Sequence, residues 1–119
     1  MQLLFDGSEE GPGAGLGLLA GRVTRLRARR VPQIGWNALE GRCDPLFDAA
    51  PMTIAYYANG YACRPESDDV VRAWSEHEGE RFAAVVRSGR VVGVQFHPEK
   101  SSAPGVGWMH AFLREAAAR

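Results

Sequence analysis

The sequence predicts a mixed α/β domain, and three patterns carry that prediction. Phe82-Ala83-Ala84-Val85-Val86-Arg87-Ser88-Gly89-Arg90-Val91-Val92-Gly93-Val94-Gln95-Phe96 sets two β-rich runs around a short turn in which Gly89 is free to take a positive φ, the signature of a β-hairpin. Beyond it, Val106, Met109, His110, Leu113 and Ala117 recur at helical spacing behind Pro104, which suits the first positions of a helix capped by Ser102 or Ala103. Ahead of it lie short extended runs punctuated by Gly, Pro and Asn. The 119 residues suit one domain, and 45% hydrophobic with 24% charged residues is the composition of an ordinary globular chain rather than a disordered one. Fourteen Lys+Arg against 14 Asp+Glu leave no net charge to attract a polyanion, which disfavours nucleic-acid binding.

The elements follow in order. Met1-Gln2-Leu3-Leu4-Phe5 is apolar with no capping residue before it and reads as a helix already under way. The glycine-rich stretch from Gly7 through Glu10 and Pro12 to Gly17 reads as a surface loop, since no GxxxxGK[ST] pattern makes it a phosphate cradle. Val23, Leu26 and Val31 are spaced among arginines as in a half-exposed strand, and Pro32 biases Val31 towards extended backbone. Residues 32–37 form a second short extended piece. Arg42-Cys43-Asp44-Pro45 reads as a turn, after which Leu46 and Phe47 plug a core. Thr53-Ile54-Ala55-Tyr56-Tyr57-Ala58 reads as a buried strand stopped by Asn59-Gly60, and residues 70–76 as a further strand. The hairpin and the last helix complete the chain, with residues 106–117 presenting the packing face and His110 a core or boundary residue. The Arg- and Ala-rich tail through Arg119 reads as solvated.

The longest apolar runs, such as Val91-Val92-Gly93-Val94, fall far short of the roughly 18 to 20 residues a bilayer span needs, and no basic segment precedes an apolar one at the N-terminus. Cys43 and Cys63 permit one disulfide at most and form no CxxC or Cys/His cluster, so the expectation is two reduced thiols in the cytoplasm, with no metal and no cofactor.

His97 and Glu99 carry the chemistry. They flank Pro98 directly after a strand, and in extended chain the side chains of i and i+2 emerge on one side. A carboxylate so placed can fix the tautomer of the imidazole and stabilise its cation, which is the orienter-and-base half of a catalytic triad. Strand ends are where sites form in α/β sheets. On spacing alone a surface ion pair is the commoner outcome.

The longer string Gly93-Val94-Gln95-Phe96-His97-Pro98-Glu99-Lys100-Ser101 resembles the His–Glu motif of the class I glutamine amidotransferases. Met1-Gln2-Leu3-Leu4-Phe5 resembles the helix that follows the nucleophile elbow Gly-x-Cys-x-Gly-Met-Gln of that family. Val31-Pro32-Gln33-Ile34-Gly35-Trp36-Asn37 is similar to the Val-Pro-x-x-Gly-Trp-Asn stretch of those members that feed a separate (β/α)8 cyclase subunit, and Tyr56-Tyr57-Ala58-Asn59-Gly60-Tyr61 falls where they carry Tyr-Phe-Val-His-Ser-Tyr. The resemblance covers essentially the whole chain, residues 1–119, as the C-terminal part of a flavodoxin-like three-layer amidotransferase domain with a β-hairpin and a C-terminal helix.

What the resemblance implies is glutamine hydrolysis through a thioester, with ammonia passed to the cyclase for histidine and purine-precursor biosynthesis. In that scheme His97 moves the thiol proton and Glu99 orients His97. Gln2, Asn59, Gly60 and Tyr61 match positions at the bound glutamine. Trp36, Asn37, Tyr56 and Lys100 match positions at the cyclase face, Lys100 as an ion-pair donor; for Trp36 and Tyr56 core packing is an equal alternative. The family's cysteine stands three places ahead of the methionine that matches Met1, and neither Cys43 nor Cys63 has elbow glycines around it. The chain as written is therefore expected to lack nucleophile and oxyanion loop, to start at an internal methionine, to be inactive unaided, and to be aggregation-prone or partner-dependent. Asn59-Gly60 in place of His-Ser leaves side-chain contacts to glutamine open there. Three readings stand at this point: the glutaminase subunit, a non-catalytic remnant that docks on the cyclase, and an amidotransferase with another acceptor.

Overall fold

The computed structural model describes residues 1–9, 11 and 13–118. Glu10 and Pro12 of the expected glycine loop, and Arg119 at the end of the expected tail, lie outside the described residues. In chain order the elements are β1 (Gly7–Ser8), β2 (Gly21–Arg25), β3 (Gln33–Ala38), α1 (Pro45–Ala49), β4 (Ile54–Asn59), β5 (Tyr61–Pro65), β6 (Val71–His77), β7 (Glu80–Ser88), β8 (Val91–Val94) and α2 (Ser102–Ala117), with single 3-10 turns at Gln2–Leu4, Asp68–Val70 and Pro98–Lys100. They build three small sheets, β1-β2-β5, β3-β4 and β6-β7-β8. Among the described residues β1 and β2 are the parallel pair; the other ladders are antiparallel.

The expected hairpin is β7-β8, with Ser88 opposite Val91 and Gly89 at φ 60° in its two-residue turn. A second hairpin joins β6 to β7 through Glu78 and Gly79, both at positive φ. The expected strands over residues 32–37, 53–58 and 70–76 are β3, β4 and β6. Strand β4 is not buried throughout: Ala55, Tyr57 and Asn59 point inward while Ile54 and Ala58 face solvent, so Asn59 belongs to the strand and Gly60 alone makes the crossing to β5.

Five expectations change. The first residues make one 3-10 turn and then extend at Phe5, whose buried ring anchors the segment, so no helix runs through them. Gly7-Ser8 leaves the loop to pair with β2. Pairing in β2 ends at Arg25, so Leu26 is buried beyond the strand and Val31 lies in the next loop. Asp44-Pro45 is the start of a helix: the Asp44 carboxylate accepts from the Leu46 N–H at 3.0 Å, and Pro45 occupies the first helical position, where its missing N–H costs nothing. The packed face of α2 is Gly105, Trp108 and Ala111 with Phe112 beside them, whereas Val106, Met109, His110, Leu113 and Ala117 are exposed. Trp108 decides the rotation of the helix. Its ring fits between Phe47 and Phe96, at 5.7 Å and 6.0 Å between centroids, and burying an indole outweighs burying the aliphatic stripe.

The main core joins Leu26, Leu39, Leu46, Phe47 and Met52 to Tyr57, Phe82, Phe96 and Trp108. Tyr57 meets Phe82 and Phe96 edge to face at 5.5 Å and 6.1 Å. Phe96 thereby pins the end of the hairpin into the core immediately before His97. Among the described residues no helix is long and apolar enough to cross a membrane.

Candidate active site

The site begins where β8 ends. Phe96 points into the core, so His97 emerges on the other side with φ −98° and ψ 98°, and Pro98 starts a 3-10 turn that carries Glu99 and Lys100. The extended chain expected through Glu99 is thus one extended residue followed by a tight turn, and the outcome is the same. His97 Nδ1 lies 2.8 Å from Glu99 Oε1. Both side chains are partly exposed. The carboxyl of Glu99 sits below the usual range: its own backbone N–H lowers it most, burial opposes this, and the His97 hydrogen bond with the charges of His97 and Lys100 lowers it further. It is the ionised form, then, that accepts from Nδ1 and leaves Nε2 available for proton transfer.

The His97 turn is held by residues that sequence reasoning missed. Ser101, fully buried, donates its hydroxyl to the His97 carbonyl at 2.6 Å and accepts from the Tyr56 N–H at 3.0 Å. The His97 N–H donates to the Tyr56 carbonyl at 2.9 Å. Ser101 rather than Ser102 or Ala103 stands at the N-cap of α2, and its hydroxyl serves the His97 turn instead of the helix. Gly105 lets the helix lie on this turn: a Cβ there would come within 2.2 Å of the Pro98 carbonyl oxygen. Gly93 plays the same part on the other side, where a Cβ would meet Leu4 at 2.8 Å and Met1 at 2.9 Å. That close approach brings Gln2 to the site. The Phe-His-Pro-Glu-Lys-Ser string contained the signal for Ser101; that its hydroxyl turns back onto β4 is tertiary information.

An open cleft of about 420 Å³ joins the predicted residues, with Gln2, Asn59, Gly60, Tyr61 and His97 on its wall. Gln2 Nε2 reaches the Tyr61 carbonyl at 3.5 Å. The Asn59 side chain, 6% exposed, is largely committed elsewhere: Nδ2 donates to the Tyr61 carbonyl at 3.0 Å and Oδ1 accepts from Gln33 Nε2 at 2.9 Å. It shapes the cleft more than it reaches into it.

The predicted partner face separates into two kinds of residue. Trp36 and Tyr56 lie opposite each other on β3 and β4, ring edge to ring face at 5.9 Å, with Trp36 50% exposed, so core packing does not claim this pair. Lys100 is exposed beside Glu99. Asn37 differs from expectation: its amide donates inward to Gln33 Oε1 and to the Glu76 carbonyl, both at 2.7 Å, and its oxygen accepts from the Ala38 N–H at 2.8 Å. Its side chain is spent holding β3 to β6.

Neither cysteine lines the cleft. Cys63 is buried on β5, and burial, against smaller opposing charges, pushes its thiol up to about 12, which keeps it protonated and unreactive. Cys43 is exposed beside Asp44 and Arg72, in a separate hollow. Both are free thiols. Among the described residues no group of His, Cys, Asp and Glu is arranged to hold a metal ion.

Known proteins carry the same pattern. The family model for glutamine amidotransferase class-I matches residues 1–116. The imidazole glycerol phosphate synthase subunit HisH of Thermotoga maritima is 44% identical over 106 residues, covering 88% of this chain and 50% of that protein. Those of Symbiobacterium thermophilum and Geobacillus kaustophilus are 46% and 43% identical, covering 89% and 100% of this chain and 51% and 60% of theirs. The chain spans about half the length of the curated relatives it matches. A family match over nearly every residue, joined to a paired histidine and glutamate at the mouth of a cleft, leads to one conclusion: the chain belongs to the class-I glutamine amidotransferases.

Proposed function

We propose that this protein is the glutamine-hydrolysing subunit of an imidazole glycerol phosphate synthase, a cytoplasmic heterodimer in which ammonia passes to a (β/α)8 cyclase subunit in histidine biosynthesis. The observation that carries the reading is the 2.8 Å contact between His97 Nδ1 and Glu99 Oε1 at the rim of the cleft. Named relatives at 44% to 46% identity support the choice of acceptor.

In the proposed reaction His97 Nε2 takes the proton of a cysteine thiol as sulfur attacks the side-chain carboxamide carbon of glutamine. The C–N bond then breaks, and the proton leaves with ammonia. Water cleaves the thioester to give glutamate and restores the thiol. Glu99 keeps Nδ1 protonated and stabilises the imidazolium formed in between. Gln2, Gly60 and the Tyr61 carbonyl frame the substrate, with Asn59 behind them. Trp36 and Tyr56 offer the partner an apolar anchor and Lys100 a charge, the residue types that dominate protein interfaces.

The pairing of half-exposed Trp36 with Tyr56 suits a second reading, a non-catalytic protein that only docks on the cyclase. Ammonia release from L-glutamine by the protein at its native length, mixed with the cyclase subunit, separates the two. Release above the cyclase blank supports the glutaminase; binding without release supports the docking reading. Lys100→Ala is expected to weaken docking or ammonia transfer about tenfold while sparing the chemistry at His97, and unchanged affinity and coupling remove Lys100 from the interface.

A further inference from the structure

The connection between β2 and β3, residues 26–32, straps one wall of the cleft from outside. At its near end the Leu26 N–H donates to the Gly60 carbonyl at 2.9 Å. At its far end Val31 and Pro32 lie over the same glycine: a Cβ on Gly60 would come within 3.3 Å of Val31 Cγ1 and 3.9 Å of Pro32 Cβ. Gly60 lines the cleft between Asn59 and Tyr61, so pressure on it is felt where a ligand would sit. The middle of the strap belongs to no strand, and its backbone donors are taken by side chains of the β6-β7 hairpin. Arg27 N–H donates to Glu80 Oε1 at 2.7 Å, Arg29 N–H to Glu78 Oε1 at 3.1 Å and Arg30 N–H to Glu78 Oε2 at 2.9 Å. His77 Nε2 lies 2.8 Å from the Arg30 carbonyl, which can only accept, so the ring donates. Glu80 is itself paired with Arg64 on β5.

One carboxylate, Glu78, thus takes two consecutive N–H groups immediately before Val31. Those of Arg30 and then Arg29 lower the Glu78 carboxyl most, burial opposes them, and the charges of His77 and Arg30 lower it further. The residue is also an unusual choice for its turn. Glu78 and Gly79 have φ 49° and 83°, the geometry that favours Asn-Gly or Gly-Gly. A glutamate backbone is strained there, and the turn itself has no use for a carboxylate. The strap does.

We propose that Glu78 is a positioning residue: by holding the backbone of Arg29 and Arg30 it keeps Val31 against Gly60 and so sets the wall on which glutamine rests. The inference rests on the proposed glutaminase function and adds to it a support for the cleft that comes from the far side of the β2–β3 connection.

The test measures KM and kcat for L-glutamine on the protein at its native length, with saturating cyclase subunit in every assay. Glu78→Gly deletes the carboxylate and suits the positive φ better than glutamate does, so it is expected to fold, which its urea midpoint checks. Its KM is expected to rise about fivefold with kcat within about twofold of wild type. Gly60→Ala in the wild-type background is expected to raise KM about tenfold, because Val31 is held and cannot yield; in the Glu78→Gly background, or with Val31→Ala, the same change raises it about twofold or less. A carboxylate that only stabilises the fold gives no such coupling. Val31→Ala reaches the contact without altering the turn and keeps the test decisive if Glu78→Gly folds poorly. A wild type that hydrolyses glutamine, together with an unchanged KM in Glu78→Gly or a Gly60→Ala effect of the same factor in every background, overturns the inference alone. A wild type that hydrolyses none overturns the glutaminase reading and this inference with it.

Discussion

At the scale of single residues, His97, Glu99 and Ser101 share one site: an imidazole, a carboxylate paired with it, and a hydroxyl that bonds the turn carrying both, the first two being base and orienter in the proposed reaction. Because the Glu99 carboxyl lies below its ordinary range, first through its own N–H and then through His97 and Lys100, the orienting charge is fully present above the unfolded carboxylate pKa of about 4.3. It is lost only as pH falls through the lower, folded value. Glu99→Gln is expected to lower kcat/KM for glutamine by roughly 10²- to 10⁴-fold across neutral pH, read from a pH–rate profile of the complex. A profile matching wild type removes Glu99 from the mechanism. The His97–Glu99 pairing was legible in the sequence because two residues around a proline have few ways to diverge. Asn59 and Asn37 were not: a sequence shows that an amide is near a cleft or a face, and only the folded pairing of β3 with β4 shows that its bonds are already made.

Among the elements, the contact of α2 with the His97 turn sets the position of His97. Gly105→Ala drives a methyl group against the Pro98 carbonyl oxygen, which is backbone and has little room to yield. The expected result is a loss of about 3 kcal/mol in urea unfolding together with reduced glutaminase activity; wild-type stability and rate would show that the helix does not brace the turn. The places of β3, β4, β6 and the β7-β8 hairpin were read well, since turn residues are local, whereas the apolar run of β4 hid the alternation that leaves Ile54 and Ala58 in solvent. The face of α2 was misread because aliphatic periodicity predicted its packing side, whereas the aromatic Trp108, with Gly105 and Ala111 on the same side to permit close approach, controls it. Helix α1 went unread although Asp44-Pro45 is a cap followed by a first-turn proline.

For the molecule as a whole, one buried ionic clasp ties three elements together. Arg87 on β7 bonds the Asp44 carboxylate through Nε at 2.6 Å and through a terminal nitrogen at 3.0 Å, and reaches Glu115 on α2 at 3.1 Å. Burial raises the Asp44 carboxyl, but the Arg87 hydrogen bonds, the Leu46 N–H and the charges of Arg87 and Arg72 outweigh it and leave it below the ordinary value. Its stabilising effect is present above the unfolded pKa near 3.9 and fades as pH falls through the folded one. Arg87→Ala is expected to cost about 3 kcal/mol at neutral pH, because it strands a carboxylate whose side chain is 1% exposed, and that cost shrinks towards acid. Denaturant midpoints at neutral and acid pH check it, and a pH-independent loss would refute the clasp. Elsewhere Met109 and Leu113 on α2 remain exposed beside Val92 and Val94 in an apolar hollow. The central claim is tested most directly by His97→Ala in the native-length protein, measuring ammonia release from glutamine and cyclase affinity on the same preparation. The account predicts a fall in release of at least about 10³-fold with affinity unchanged within about twofold; near-normal release would contradict it.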